Sequence, residues 1–218
     1  GQASAQLLSA TGLEAADGKG QLAWAGFEWA RNPYVIPITI YIFAPYFSST
    51  VVGDPIRGQA IWGHINGIAG FIIAIFGPLL GAIADRGGRR KPWLLVFTLV
   101  CILGSAALWY SEPSPDAIPW TLLWIVIGTI GFEFGMVFYN AMLPDIAPQD
   151  RLGRVSGWGW GLGYIGGLGA LAFCLFGFIQ TDTPLFGVSK ENAEHVRATV
   201  LLVAVWMAVF SLPIFLFV

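Results

Sequence analysis

The chain has 218 residues, of which 56% are hydrophobic and 11% charged, with mean hydropathy +0.69 and a net charge of −2. A water-soluble domain carries about 25% charged residues, so the composition speaks for a bilayer as solvent. The weakly acidic balance speaks against a nucleic-acid partner. Abundant glycine (28) and tryptophan (10) suit close helix packing in lipid and anchoring at its interfaces.

Residues 1–21 are small, polar and weakly acidic. They are expected to form a cytoplasmic tail, mobile or lying on the surface, without the basic start of a secretory signal. Residues 22–218 are expected to form a bundle of six transmembrane helices, because a span of about 20 apolar residues crosses the hydrocarbon core. The spans are drawn at 22–47, 61–84, 92–110, 119–143, 155–179 and 196–218. Only helices and closed barrels satisfy the backbone in lipid, and the short alternating segments of a barrel are missing. The fold class is therefore an all-α membrane protein.

In the first span, Glu28, Arg31 and Asn32 stand at i, i+3 and i+4 and share one face. A charge inside a span costs about 2.5–3.5 kcal/mol on insertion scales, which makes such residues functional suspects. The other reading is a snorkelling pair still at the interface. Pro33 and Pro37 are expected to bend or break this helix.

The second span carries Gly63, Gly67, Gly70, Ala74, Gly77 and Gly81 at alternating steps of four and three, which puts them on one face. The fifth span repeats the pattern more densely, with Gly159, Gly163 and Gly167 on one stripe. Either stripe is ordinary tight packing or a sliding seam. His64, near the outer end of the second span, is read as interfacial rather than as a ligand.

Five charges crowd into Asp85–Lys91, between the second and third spans. The bases are explained by topology: seven Lys and Arg lie on this side (Lys19, Arg86, Arg89, Arg90, Lys91, Arg151, Arg154) against Arg57, Lys190 and Arg197 on the other. This excess marks the cytoplasmic side. Asp85, however, opposes the dipole of the helix that it ends and needs a partner.

In the fourth span, Glu133 lies near mid-membrane, seven residues from Asn140 and on the same face, with Tyr139 beside it. A protonatable carboxylate at that depth suits proton coupling; the alternative is a protonated structural glutamate. Cys101 and Cys174 lie in apolar runs and offer neither a disulfide nor metal spacing. No metal, cofactor or catalytic motif is expected, so an enzyme is not. The chain starts with glycine and ends within the apolar run SLPIFLFV, which reads as a cut rather than a natural terminus.

The segment GAIADRGGRRK, Gly81 to Lys91, resembles the loop motif of the major facilitator superfamily, with Ile83 in place of leucine. FEWARNPYVIPITIYIFAPYF and FYNAMLPDIAPQDRLGRVSGWGWGLGYIGG resemble the branch related to the vacuolar amino-acid effluxer of autophagy. Here Glu28, Arg31, Asn32 and Pro33 depart from that branch's Asp, Asn, Ser and Ala. The resemblance implies the N-terminal half, of two 3+3 helix repeats, of a twelve-helix transporter working by alternating access. It implies a gating loop of Gly81, Asp85, Arg86, Gly88, Arg89 and Arg90 that latches onto helix ends of the missing half. The glycines of spans two and five would face that half across a moving seam. The expected solute is small and polar, conceivably an amino acid, with Glu28, Arg31, Asn32, Glu133, Tyr139 and Asn140 on its path or the proton's. The expected location is a bacterial-type inner membrane. The alternative is a non-transporting subunit, derived from a transporter, in a larger membrane complex; a homodimer of two halves is a further possibility.

Overall fold

The computed structural model describes residues 8–86 and 90–218. Six helical spans long and apolar enough to cross a membrane fill it: Gly18–Val51, Pro55–Asp85, Arg90–Tyr110, Pro115–Ile146, Gln149–Ile179 and Glu191–Phe217. Among the described residues there is no strand, only one isolated bridge between Leu8 and Glu14. Several spans start before their apolar cores because polar caps extend them. The Asp17 carboxylate accepts from the Gly20 amide at 2.7 Å, so the first helix begins at Gly18 rather than 22. Asp54 accepts from the Ile56 and Arg57 amides, so the second begins at Pro55 rather than 61.

The segment ahead of the first span lies on the end of the fourth. The amides of Ala10, Thr11 and Ala16 donate to the carbonyls of Ala147, Pro144 and Ile146 at 2.9, 3.2 and 2.9 Å. Asp145 accepts from the Thr11 hydroxyl at 2.7 Å on one oxygen, and its other oxygen pairs with Arg90. Thus the first and fourth spans and the loop after the second are tied at one end of the bundle, the end rich in bases.

The two prolines act on the first span as expected. The regular α-helix stops at Arg31, a 3₁₀ turn covers Asn32–Tyr34 and a π-helical stretch covers Val35–Tyr41. Pro33 has no N–H for the Trp29 carbonyl. The Trp206 indole of the sixth span fills the place, donating to that carbonyl at 2.9 Å, with the two indoles stacked at 5.3 Å. The Ile42 amide reaches back to Pro37, five residues away.

Two apolar clusters stack along the bundle axis. One, at the base-rich end, gathers Trp24, Phe27, Leu94, Phe138, Met142 and Ile214. The other gathers Tyr34, Ile38, Phe47, Leu108, Ile125 and Met207. The third and fourth spans approach most closely through glycines that the sequence reading had not singled out. A β-carbon at Gly104 would come within 2.9 Å of the Gly128 Cα, and one at Gly131 within 2.8 Å of the Phe97 carbonyl oxygen.

Candidate functional site

Between the two clusters, Glu28, Arg31 and Asn32 interrupt the apolar packing. Glu28 is the eleventh residue of its helix, about 15 Å along the axis from Gly18. Glu28 Oε1 lies 3.2 Å from Arg31 Nη1, with side chains 15% and 8% exposed. Asn32 Nδ2 donates to Glu28 Oε2 at 2.8 Å and to the Glu28 carbonyl at 3.1 Å. The Arg31 guanidinium stacks on the Phe132 ring, 3.8 Å from its centroid, and touches the Met136 sulfur. A buried pair is retained only where geometry and extra hydrogen bonds offset desolvation, and each member here has such neighbours.

This triad faces a cavity of about 610 Å³ between the first, fourth and fifth spans. Its polar lining adds Asn140 and Ser156; its rings include Trp24, Phe132, Tyr139, Trp160 and Tyr164. Tyr139 is held rigidly: its ring stacks on Trp24 at 4.3 Å, its hydroxyl donates to the Trp24 carbonyl at 2.7 Å, and the Trp24 indole donates to the Tyr139 carbonyl at 3.0 Å. Pro144 cannot supply the i+4 amide for the Asn140 carbonyl, which leaves that acceptor short of its helical donor beside an exposed side chain. Trp160 and Tyr164, one turn apart and stacked at 6.2 Å, are exposed at the cavity wall.

Of the residues singled out from sequence, the structure brings Glu28, Arg31, Asn32, Tyr139 and Asn140 to one cavity. Glu133 does not line it. It is exposed near the middle of the fourth span, two turns from Asn140, with no ion pair or side-chain hydrogen bond among the described residues. Phe132, Met136, Ser156, Trp160 and Tyr164 were missed. The signal available for the last two was an i, i+4 aromatic pair in a glycine-rich helix.

The charged loop is only partly visible. Gly88 and Arg89 lie outside the described residues. Asp85 and Arg86 are exposed, and neither makes an ion pair among the described residues. Arg90 pairs with Asp145 and donates from Nε to the Ala84 carbonyl at 2.8 Å, placing a cation on the C-terminus of the second helix. Asp145 was missed, although it ends a helix with the wrong sign for the dipole just as Asp85 does.

The two glycine stripes differ. A β-carbon at Gly63, Gly67, Gly70, Gly77 or Gly81 would meet nothing within 4 Å among the described residues, so that face is unpartnered there. The stripe of Gly159, Gly163 and Gly167 does not face outward as expected. It packs inside the bundle on the first span, Gly163 against Asn32 and Gly167 against Ile36, because only a residue without a side chain admits the bent first helix so closely. The outward glycines of the fifth span are Gly153, Gly157 and Gly161.

Six apolar helices with polar groups gathered between the first, fourth and fifth define an integral membrane protein with half of a major-facilitator fold. The chain belongs to the family described as vacuole effluxer Atg22 like, whose model matches residues 47–218. It is similar to the uncharacterized MFS-type transporter YxiO of Bacillus subtilis, 29% identical over 198 residues, 89% of this chain and 45% of that protein. It is also 24% identical over 121 residues, 54% of this chain and 26% of the relative, to the inner membrane metabolite transport protein YhjE of Escherichia coli. Macrolide efflux protein A of Streptococcus pyogenes is 24% identical over 102 residues, 46% of this chain and 25% of that protein. The chain spans less than half the length of each of these three relatives.

Proposed function

We propose that this chain is the N-terminal half of a secondary transporter that moves a small polar solute through the 610 Å³ cavity by alternating access. The observation that carries the reading is the clustering of Glu28, Arg31, Asn32, Asn140 and Ser156 around one space between helical spans of membrane length. Such groups are costly in lipid unless they serve a solute or ion path. The volume falls in the range of small-molecule sites, roughly 300–1,000 Å³.

In this reading the base-rich end, with the N-terminus, faces the cytoplasm, and the membrane is a bacterial inner membrane. The unpartnered glycine face of the second span and the exposed Gly157 and Gly161 of the fifth receive the second half. Gly81, Asp85, Arg86, Gly88 and Arg89 reach that half's helix ends as a latch, while Arg90 holds the loop to its own side through Asp145.

The test is flux in proteoliposomes containing the complete native polypeptide, screened with labelled amino acids and other small polar metabolites. Asn140→Leu should reduce uptake of the transported solute at least tenfold at unchanged protein level. Unchanged uptake by this variant would contradict the site. Absence of uptake for every polar solute would favour the reading of the chain as a structural subunit.

A further inference from the structure

We propose that Glu28 is the carboxylate that binds the coupling proton, and that its protonation frees Arg31 for an anionic group on the solute. The solute step rests on the transport reading above; the proton step stands on the geometry of the first span.

Glu28 and Glu133 lie away from the ends of their helical spans, and they differ in what a proton would release. Both oxygens of Glu28 are engaged, one with Arg31 at 3.2 Å and one with the Asn32 amide nitrogen at 2.8 Å. Protonation removes the only formal negative charge within salt-bridge reach of Arg31 among the described residues. The guanidinium would keep only the Phe132 ring and the Met136 sulfur, neither of which bears a formal charge. A cation so placed is strongly destabilised until a new anion arrives. The cavity in front of it admits one, through a wall that Asn140 and Ser156 make polar. One proton entering with one anionic group leaves the net charge of the cavity unchanged, so each favours the binding of the other. Glu133 is exposed and holds no ion pair among the described residues, so its protonation would set no cation free.

The other titratable groups around Glu28 do not take this role. Tyr139, from the fourth span, has its hydroxyl committed to the Trp24 carbonyl. Tyr164, from the fifth, stands exposed on the cavity wall. Cys101, from the third, shares a gap of about 10 Å³ with Arg31, on the side that Phe27, Thr98 and Met207 line. The titratable residues of the sixth span, Glu191, Glu194, His195 and Arg197, all sit within its first seven residues.

The experiment is infrared difference spectroscopy of the complete native polypeptide in lipid, titrated from alkaline to acid pH with no solute present. A protonated carboxyl band should grow in the native protein, persist in Glu133→Gln and be absent in Glu28→Gln. The guanidinium bands of Arg31, assigned by their loss in Arg31→Met, supply an independent arm: they should shift as the carboxyl band grows. The proposal is overturned if the band vanishes in Glu133→Gln and survives in Glu28→Gln, if no glutamate band titrates at all, or if those guanidinium bands stay in place as it grows. A band that titrates as expected in a protein that moves no solute would remove the transport reading and leave the proton site standing.

Discussion

Gly166 of the fifth span lies directly on the backbone of Trp29 in the first: a β-carbon at Gly166 would come within 2.6 Å of the Trp29 carbonyl oxygen. That carbonyl is the one Pro33 leaves without a helical donor, and Trp206 supplies the missing hydrogen bond from the opposite side. Three spans therefore meet on one peptide group, next to Glu28 and about a turn before Asn32. Adding a side chain at Gly166 should force the first and fifth helices apart. Gly166→Leu is expected to lower stability in detergent by about 1–3 kcal/mol, whereas Gly161→Leu, whose β-carbon would meet nothing within 4 Å among the described residues, should be nearly neutral for this six-helix bundle by itself. Thermal unfolding of the two variants side by side checks this.

Removing the indole donor addresses the same carbonyl from the sixth span. Trp206→Phe keeps a ring against Trp29 but leaves the carbonyl without its donor. The cost of an orphaned buried acceptor is about 1–3 kcal/mol. Hydrogen exchange at the amides around Trp29 should quicken in this variant. Native protection there would show that the Trp206 bond is dispensable to the bent helix.

Asp145 joins the segment before the first span to the start of the third. Its partners are Thr11 on one oxygen and Arg90 on the other. Asp145→Asn should release both, while costing global stability only about 1 kcal/mol because the pair is partly solvated. The expected signature is faster hydrogen exchange at Ala10, Thr11 and Ala16 with a nearly unchanged melting temperature. Unaltered protection of those amides would show that the backbone bonds alone hold the segment.

Much of this fold was legible in the sequence, because six apolar stretches of membrane length leave little choice of architecture. The ends of the spans were not, since capping residues such as Asp17 and Asp54 extend helices into polar sequence that hydropathy ignores. The Glu28, Arg31 and Asn32 face was legible from spacing alone. The place of Asn140 was not: spacing put it on one face with Glu133, and of the two only Asn140 lines the cavity. The membership of the fifth span's glycines was not. Spacing puts Gly159, Gly163 and Gly167 on one stripe but does not say which neighbour that stripe meets, and the bend at Pro33 and Pro37 turns the first helix onto it. Asp145 escaped for the same reason: its partners lie 134 and 55 positions away in the chain, and only the packing of the bundle end brings them together.

The bare face of the second span separates structural from functional roles. A β-carbon at Gly67 or Gly70 would meet no neighbour within 4 Å among the described residues, so Gly67→Leu and Gly70→Leu should each leave this bundle intact. In the complete polypeptide the same changes should reduce flux at least tenfold by blocking the approach of the second half. Normal flux in both variants would mean that this face meets lipid and not a moving partner.

The most direct test of the central claim is the accessibility of Ser156, which lines the cavity. A single Ser156→Cys is placed in the complete native polypeptide with Cys101 and Cys174 changed to alanine, and its alkylation by a membrane-impermeant reagent is measured from each side of sealed vesicles. An alternating cavity predicts that the same population reacts to completion from either side. Alkylation from one side only, or from neither, would contradict it.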